Sequence, residues 1–338
     1  MAGGESIRIS VVMCTYNGAE FVAEQVESIL AQTHPVQELV VGDDASRDET
    51  LAIVRQVIEG YRARGGAAID LVVLTRDPQQ HPQPYGVAGN FARSLEAASG
   101  DVVLLSDQDD RWASDRVARS IAAFDQHPDA GLVHGDARLV DAEGASLGVT
   151  LFEALGVAPA ELDDIDAGRG FEAMLRRNLV TGATAAVRRE LIARALPVPD
   201  GWIHDEWLAV VAGAVGRTVV LREALIDYRQ HGANQIGARK LDWSTRWARL
   251  REPRTARNER LLRRARSLVD RLDALGEQLD AGHLRAAREK LAHEEVRAAL
   301  PASHLRRVVP VAREWRSGRY RRYGLGAQDV LRDVVQPV

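Results

Sequence analysis

The sequence predicts an α/β fold, a mostly parallel central sheet flanked by helices, followed by a helical appendage. Three observations carry this. Short apolar runs recur through the first hundred residues without strict alternation, as in strands buried on both faces, and amphipathic stretches separate them. Asp-rich or otherwise polar clusters stand directly after three of these runs. Beyond about residue 240, leucines recur at helical spacing between arginines. Strand and helix in alternation build right-handed βαβ units on a parallel sheet, and ligands of such sheets bind outside the carboxyl ends of the strands.

Ile7 to Met13 reads as the first strand, and Cys14-Thr15-Tyr16-Asn17-Gly18 ends it with an Asn-Gly turn signal. A helix over 19–32 presents Val22, Val26, Ile29 and Leu30 on one side, and Pro35 closes it. Glu38 to Gly42 is the second strand, ending in Asp43-Asp44. Ser46 or Asp48 caps a helix carrying Leu51, Val54, Val57 and Ile58. A third strand spans Ile69 to Leu74, a Pro- and Gln-rich loop spans 75–86, and a helix spans 87–98. The fourth strand, from Asp101 to Leu105, runs into Ser106-Asp107-Gln108-Asp109-Asp110-Arg111-Trp112. The later order is looser: a helix over 114–127, strands at 131–134 and 138–140, and a loop or lid over 141–166. A small-residue strand follows over 181–187, then a short helix from Arg189, an apolar helix opened by 201–208, and strands at 218–221 and 224–228.

Composition narrows the classes. A chain of 338 residues with 46% apolar content allows one large domain or two with a sizeable core. The net charge of −4 argues against bulk nucleic-acid binding. The single cysteine, Cys14, excludes internal disulfides and multi-cysteine metal sites. Without a basic-apolar leader or an apolar run near 18 residues, the expectation is a cytoplasmic chain that spans no membrane.

The acidic stretch is the informative one. Three carboxylates within four positions at a strand end are costly unless a cation neutralises them, and oxygen-only ligands suit Mg²⁺ or Mn²⁺, which keep positions for substrate phosphates. A solvated acidic turn capping the next helix would explain the polarity of one cluster. It does not explain why Thr15-Tyr16-Asn17, Asp43-Asp44 and Asp107-Gln108-Asp109-Asp110 all fall at strand ends that converge on one crevice.

These residues together resemble glycosyltransferase family 2 of GT-A fold, nearest its rhamnosyltransferase-like members, over about residues 7–237. The resemblance rests on Cys14 to Gly18, Gly42-Asp43-Asp44-Ala45-Ser46 with Asp48 and Thr50, Ser106 to Trp112, Thr181-Gly182-Ala183-Thr184, His204-Asp205, and Tyr228-Arg229-Gln230-His231-Gly232 with Asn234. It implies an inverting enzyme that moves a sugar, first choice L-rhamnose from dTDP-rhamnose, onto a hydroxyl of a glycan or lipid-linked acceptor. A β-linked rhamnosyl donor would then give an α product. Thr15, Tyr16 and Asn17 would line the nucleotide pocket, Asp44 would bind the pyrimidine of a dTDP- or UDP-sugar, and Gly182 would lie against the donor. Asp107, Asp109 and Asp110 would form the DxD-type site for Mg²⁺ or Mn²⁺ and the donor ribose, with His231 reaching the metal or diphosphate. Asp205 would be the general base. Glu206 stands where relatives usually carry an aromatic residue, which leaves its part in the acceptor pocket open.

Each residue also has a blander reading. Asp205 at a helix start is a favourable charge there. His231 could be an ordinary loop hydrogen-bonder, and Trp112, Trp202 and Trp207 could be core. Arg76, just past a strand, could meet the diphosphate or simply be a surface arginine. Two rival functions remain: a nucleotidyltransferase on a related sheet, which would not need Asp205, and a non-catalytic nucleotide-sugar-binding or membrane assembly protein, which would be expected to have lost Asp107, Asp109 and Asp205.

The division expected is 1–240 as the catalytic domain and 241–338 as a helical, Arg-rich region that packs on the first part, on a second copy as a homodimer, or on a membrane. The run of Arg306, Arg307, Arg313, Arg316, Arg319, Arg321 and Arg322 among Val308, Val309, Trp315, Tyr320 and Tyr323 suits an anionic membrane surface, the inner face of the cell membrane for a peripheral protein.

Overall fold

In the first half the strands are continuous and apolar, so they sit in the middle of a sheet covered on both faces. The computed structural model describes residues 7–231, 253–276 and 279–337. Strands β1 (Ile9–Thr15), β2 (Glu38–Asp43), β3 (Asp70–Thr75) and β4 (Val102–Ser106) are joined by helices α1 (Val22–Leu30), α2 (Thr50–Ala63) and α3 (Gly86–Ala97). They pair in parallel in the order β3-β2-β1-β4. Register brings their carboxyl ends level: Thr15 stands opposite Asp43, Asp43 opposite Thr75, and Met13 opposite Ser106.

The second half adds β5 (Arg111–Trp112), α4 (Arg116–Gln126), β6 (Ala130–Val140), β7 (Ser146–Thr150), α5 (Leu151–Leu155), α6 (Pro159–Asp166) and α7 (Gly170–Arg176). A 3-10 turn over Gly182–Thr184 then leads to β8 (Ala186–Arg188), α8 (Arg189–Ala195), α9 (His204–Val215) and β9 (Arg217–Arg229). β8 runs antiparallel between β4 and β6, β9 is parallel to β6, β5 is antiparallel on β9, and β7 hangs from β6, completing a nine-stranded sheet.

Several expectations change here. The stretch 141–166 is not a bare loop: it forms β7, α5 and α6. Thr150 caps α5 by accepting from the Glu153 backbone N–H while the Glu153 carboxylate accepts from the Thr150 N–H, a capping box. The strand expected over 181–187 is a 3-10 turn followed by a three-residue strand. The paired segments 131–134 and 138–140, and 218–221 and 224–228, are single long strands. Helix α7 was not anticipated.

Alternate residues of each central strand enter opposite layers. Val11, Met13, Leu39, Val41 and Leu104 pack against Val22, Val26, Ile29, Val54 and Phe124. Val12, Val40, Val103 and Leu105 pack against Phe91, Leu95, Phe171 and Trp207. Each such fully buried side chain contributes about 1.5–3 kcal/mol.

The C-terminal part forms α10 (Arg254–Leu275), α11 (Ala281–Ala298), α12 (His304–Arg316), α13 (Arg319–Tyr323) and α14 (Ala327–Val335). Leu268, Val269 and Leu272 of α10, Ala287 of α11 and Tyr323 of α13 belong to the same apolar cluster as Phe171, Trp202 and Trp207, so these helices share a core with the sheet-bearing part. The expected boundary at 240/241 and the motif residues Gly232 and Asn234 lie outside the described residues.

Candidate active site

A cleft of about 590 Å³ opens at the carboxyl ends of β1, β2 and β4. Of the residues expected there, Thr15, Tyr16, Asn17, Asp44, Asp107, Asp109 and His231 line it. Arg76, Asp110, Gly182 and Asp205 do not.

The β1 and β2 ends are tied together first. The Thr15 hydroxyl donates to Asp43 Oδ1 at 2.8 Å, and the Asp44 N–H donates to the Thr15 carbonyl. Asn17 (φ 49°) and Ala45 (φ 63°) both hold left-handed backbone, a cost that a turn beside a ligand site can carry. The Asn17 side-chain oxygen accepts from the Arg47 N–H, so this amide braces the loop. Gln108 pairs with the Tyr16 backbone in both directions, its Oε1 accepting at 2.9 Å and its Nε2 donating at 3.2 Å. A Cβ at Gly18 would fall 2.2 Å from Gln108 Oε1 and would displace that amide from the Tyr16 backbone. Tyr16 keeps its ring about half exposed at the mouth.

Asp44 is held rather than free. Its Oδ1 accepts from Arg76 Nε at 2.6 Å and from the Tyr85 N–H, and its Oδ2 accepts from the Gly86 N–H at the start of α3. Arg76 therefore orients Asp44, and its second contact is the His81 carbonyl.

The acidic stretch divides by direction. Asp109 Oδ2 lies 2.8 Å from His231 Nε2, and the His231 ring sits 4.8 Å from Phe21. Asp110 turns inward, its Oδ1 accepting from the Arg229 N–H at 3.0 Å, while its Oδ2 is buried with no partner among the described residues. Burial, with the charges of Asp109 and Asp205, pushes the Asp107 carboxyl well above the usual range, and burial with Asp107 and Asp109 does the same to Asp110. Behind them stands Arg116, buried, stacked 3.7 Å from the Trp112 ring centroid and donating to the Leu105 carbonyl. Burial drags its guanidinium down to about 9 against the raising effect of Asp110 and Asp107. Arg116 escaped the sequence reading because an arginine in the first turn of a helix looks like surface; the one clue was its spacing just after Trp112.

Among the described residues no three His, Cys, Asp or Glu side chains assemble as a ready metal cage. The donor set nevertheless fits a hard cation. The carboxylates raise one another's proton affinity, one oxygen is buried without a partner among the described residues, and of the two buried arginines beside them Arg229 spends its charge on Glu24. Asp107, Asp109 and His231 face the cleft; Asp110, anchored on the Arg229 backbone, shapes the turn.

Asp205 reaches the same field from α9. It is the second residue of that helix, where the N-terminal dipole favours an anion. Its Oδ2 accepts from the Gly182 N–H at 2.9 Å and its Oδ1 from the Glu206 N–H. Burial raises it to about 6 against these hydrogen bonds and the charge of Arg264. Gly182 is required: an added Cβ would meet His204 Nε2 at 2.7 Å. His204 in turn stacks on Phe91 with centroids 4.0 Å apart, and burial keeps it neutral. Tyr228 ties the site together, because burial and then the charges of Asp107, Asp110, Asp109 and Asp205 push its phenol far up. Glu206 pairs with Arg264 of α10 at 2.8 Å, and Arg264 lies over Trp202 at 4.0 Å, so the C-terminal part braces the helix that presents Asp205. Trp112, Trp202 and Trp207 are all buried.

Residues 10–141 match glycosyl transferase family 2. That segment covers β1 to β6 and so includes the cleft's acidic strand ends. An uncharacterized glycosyltransferase of Nostoc sp. is 27% identical over 237 residues, 68% of this chain and 66% of the relative. The matched regions span less than two thirds of the length of the first curated relatives, 59% for the Mycobacterium proteins. Among solved structures, S. aureus TarS with UDP-GlcNAc superposes at TM-score 0.54 and 16% identity, covering 92% of this chain and 81% of that one. The mannosyltransferase PcManGT of Pyrobaculum calidifontis, in complex with GDP-Man and Mn²⁺, superposes at TM-score 0.51 and 19% identity, covering 97% and 79%. The fold is GT-A, and residues 10–141 carry the similarity to family 2.

Proposed function

We propose that this chain is an inverting glycosyltransferase that takes a nucleoside-diphosphate sugar and transfers the sugar to a hydroxyl of a glycan or lipid-linked acceptor. The observation that carries this reading is the cleft at the carboxyl ends of β1, β2 and β4, lined together by Asp44, Asp107, Asp109, Tyr228 and His231, with Asp205 held against the Gly182 N–H at the start of α9.

Tyr16, with Asp44 braced by Arg76, forms the nucleoside end of the cleft. Asp107 and Asp109, with His231 against Asp109, would hold Mg²⁺ or Mn²⁺, which supplies charge stabilisation to the departing diphosphate. Asp205 accepts the acceptor hydroxyl's proton as that oxygen bonds to the anomeric carbon. The bond from that carbon to the diphosphate oxygen breaks, and its electron pair leaves with the nucleoside diphosphate. A carboxyl held near 6 is ionised at neutral pH and still basic enough for this task. One base suffices, unlike the carboxylate pair of glycosidases.

The nucleotide sugars bound by TarS and PcManGT, and the Mn²⁺ of the latter, are consistent with this donor class. dTDP-rhamnose is the first donor to try, on the strength of the motif resemblance. We further propose that the sheet-bearing part to about residue 240 carries the chemistry and that the helical remainder serves as a brace.

The test is incubation with dTDP-rhamnose, UDP-glucose and GDP-mannose in Mn²⁺ and an acceptor glycan, following the nucleotide released. Nucleoside diphosphate is expected. Pyrophosphate would indicate nucleotidyl transfer instead, and donor binding without turnover for any acceptor would favour a binding protein.

A further inference from the structure

Helices α12 and α14 turn much of their polar side inward. On α12 the buried positions are Arg307, Val311 and Glu314, and on α14 they are Asp329 and Asp333. Arg307 donates to the carbonyls of Pro301, Ala302 and Gln336, all within 2.7 Å. Asp333 accepts from Arg297 Nε at 2.7 Å and from the Tyr320 hydroxyl at 2.9 Å, Asp329 pairs with Arg257 at 3.0 Å, and Glu314 pairs with His293 at 2.8 Å. Charged networks fill the space that apolar side chains usually fill.

The apolar side chains point outward instead. Leu305, Val308, Val309 and Trp315 on α12, with Leu331 and Val335 on α14, are exposed, Leu305 to 85%. Their spacing puts the four α12 residues on one face of that helix, opposite Arg307 and Glu314. The two helices pack side by side. Charge on this surface has one sign. All three acidic residues of 301–337 are buried in the networks above, whereas Arg306, Arg313, Arg316, Arg321 and Arg322 are exposed. Among the described residues no helix is long and apolar enough to cross a membrane.

We propose that the outer faces of α12 and α14 dock this protein on an anionic lipid surface, with Leu305, Val308, Val309 and Trp315 entering the headgroup–acyl boundary and the flanking arginines meeting lipid phosphates. A second copy fits the face poorly, because a two-fold contact would set the same arginines against each other. A polyanion without an apolar phase would leave the exposed aliphatic side chains in water. The inference does not depend on which reaction the cleft performs.

The test is flotation of the full chain with vesicles of phosphatidylcholine alone and of phosphatidylcholine and phosphatidylglycerol in equal parts. Binding to the anionic vesicles, weakened by salt, and none to the neutral ones is expected. Arg313→Gln with Arg316→Gln should lower the partition about thirty-fold, and Leu305→Asn with Val309→Asn on the order of tenfold or more. Both pairs are exposed, so both variants should melt with the wild type. Equal binding to the two vesicle types, retention by both variants, or no binding by the wild type would overturn the proposal. So would a dimer in sedimentation velocity that the Leu305→Asn, Val309→Asn variant abolishes.

Discussion

Replacing the proposed base should make the protein more stable while stopping the reaction. Asp205 is partly buried at the α9 N-terminus, and desolvation raises its carboxyl from 3.8 to about 6. A raised carboxyl pKa means the folded state prefers the protonated form. The stability it contributes is complete below about pH 4 and is lost as pH rises through 6. Two units correspond to about 3 kcal/mol of penalty above pH 6. Asp205→Asn removes that penalty, but its amide has one acceptor oxygen for the two N–H donors, so either Gly182 or Glu206 loses its bond and faces the NH2, returning about 1–3 kcal/mol. The net gain at pH 8 is then about 0–2 kcal/mol, a melting shift of up to about 3 °C for a chain of this size. Scanning calorimetry of both proteins from pH 4.5 to 8 should show the gap opening with pH, while transfer by the variant falls by about 10²–10⁴. A variant that melts lower than the wild type at pH 8, or by a margin that does not change with pH, would refute the burial argument. Unchanged turnover would remove Asp205 as base.

Gly182→Ala forces a Cβ into His204 Nε2 and should displace Asp205, lowering kcat with a stability cost of about 1–3 kcal/mol, read by kinetics and urea melts. Arg264→Gln removes a positive charge that holds Asp205 down, so the acidic limb of the rate profile should move to higher pH while the rate at pH 8 holds; an unmoved limb counts against that coupling. Arg116→Met strips the buried cation from behind Asp107 and Asp110 and should cost on the order of 3–5 kcal/mol in chemical denaturation, with Mn²⁺ recovering part of it.

The sheet and the acidic strand ends were legible because charge set directly after an apolar run has few places to go. Thr15, Asp44, Asp107 and Asp109 stand in the cleft for that reason. Distance in sequence hid the rest. The pairing of Asp205 with the Gly182 N–H joins residues 23 apart through a turn that periodicity cannot see. Asn17 lines the cleft as expected, but its bracing of the Arg47 N–H, like the hold of Arg76 on Asp44, joins segments about 30 residues apart that spacing does not connect. The α5 and α6 helices are only five and eight residues long, and α6 carries three aspartates, so the hydrophobic pattern that marks α1 is too short to read there. The final helices illustrate another limit. Spacing revealed that they are two-sided, but not that Arg307, Asp329 and Asp333 would be the sides turned inward; that depends on partners such as Arg297 and Arg257 in helices far along the chain.

Titration of Mn²⁺ into the protein with and without a nucleoside diphosphate, followed by the ion's paramagnetic resonance, probes the acidic cleft most directly. The account predicts one bound ion that the nucleotide tightens and that Asp107→Asn with Asp109→Asn abolishes. An ion bound equally well by that double variant, or nucleotide binding indifferent to the metal, would contradict it.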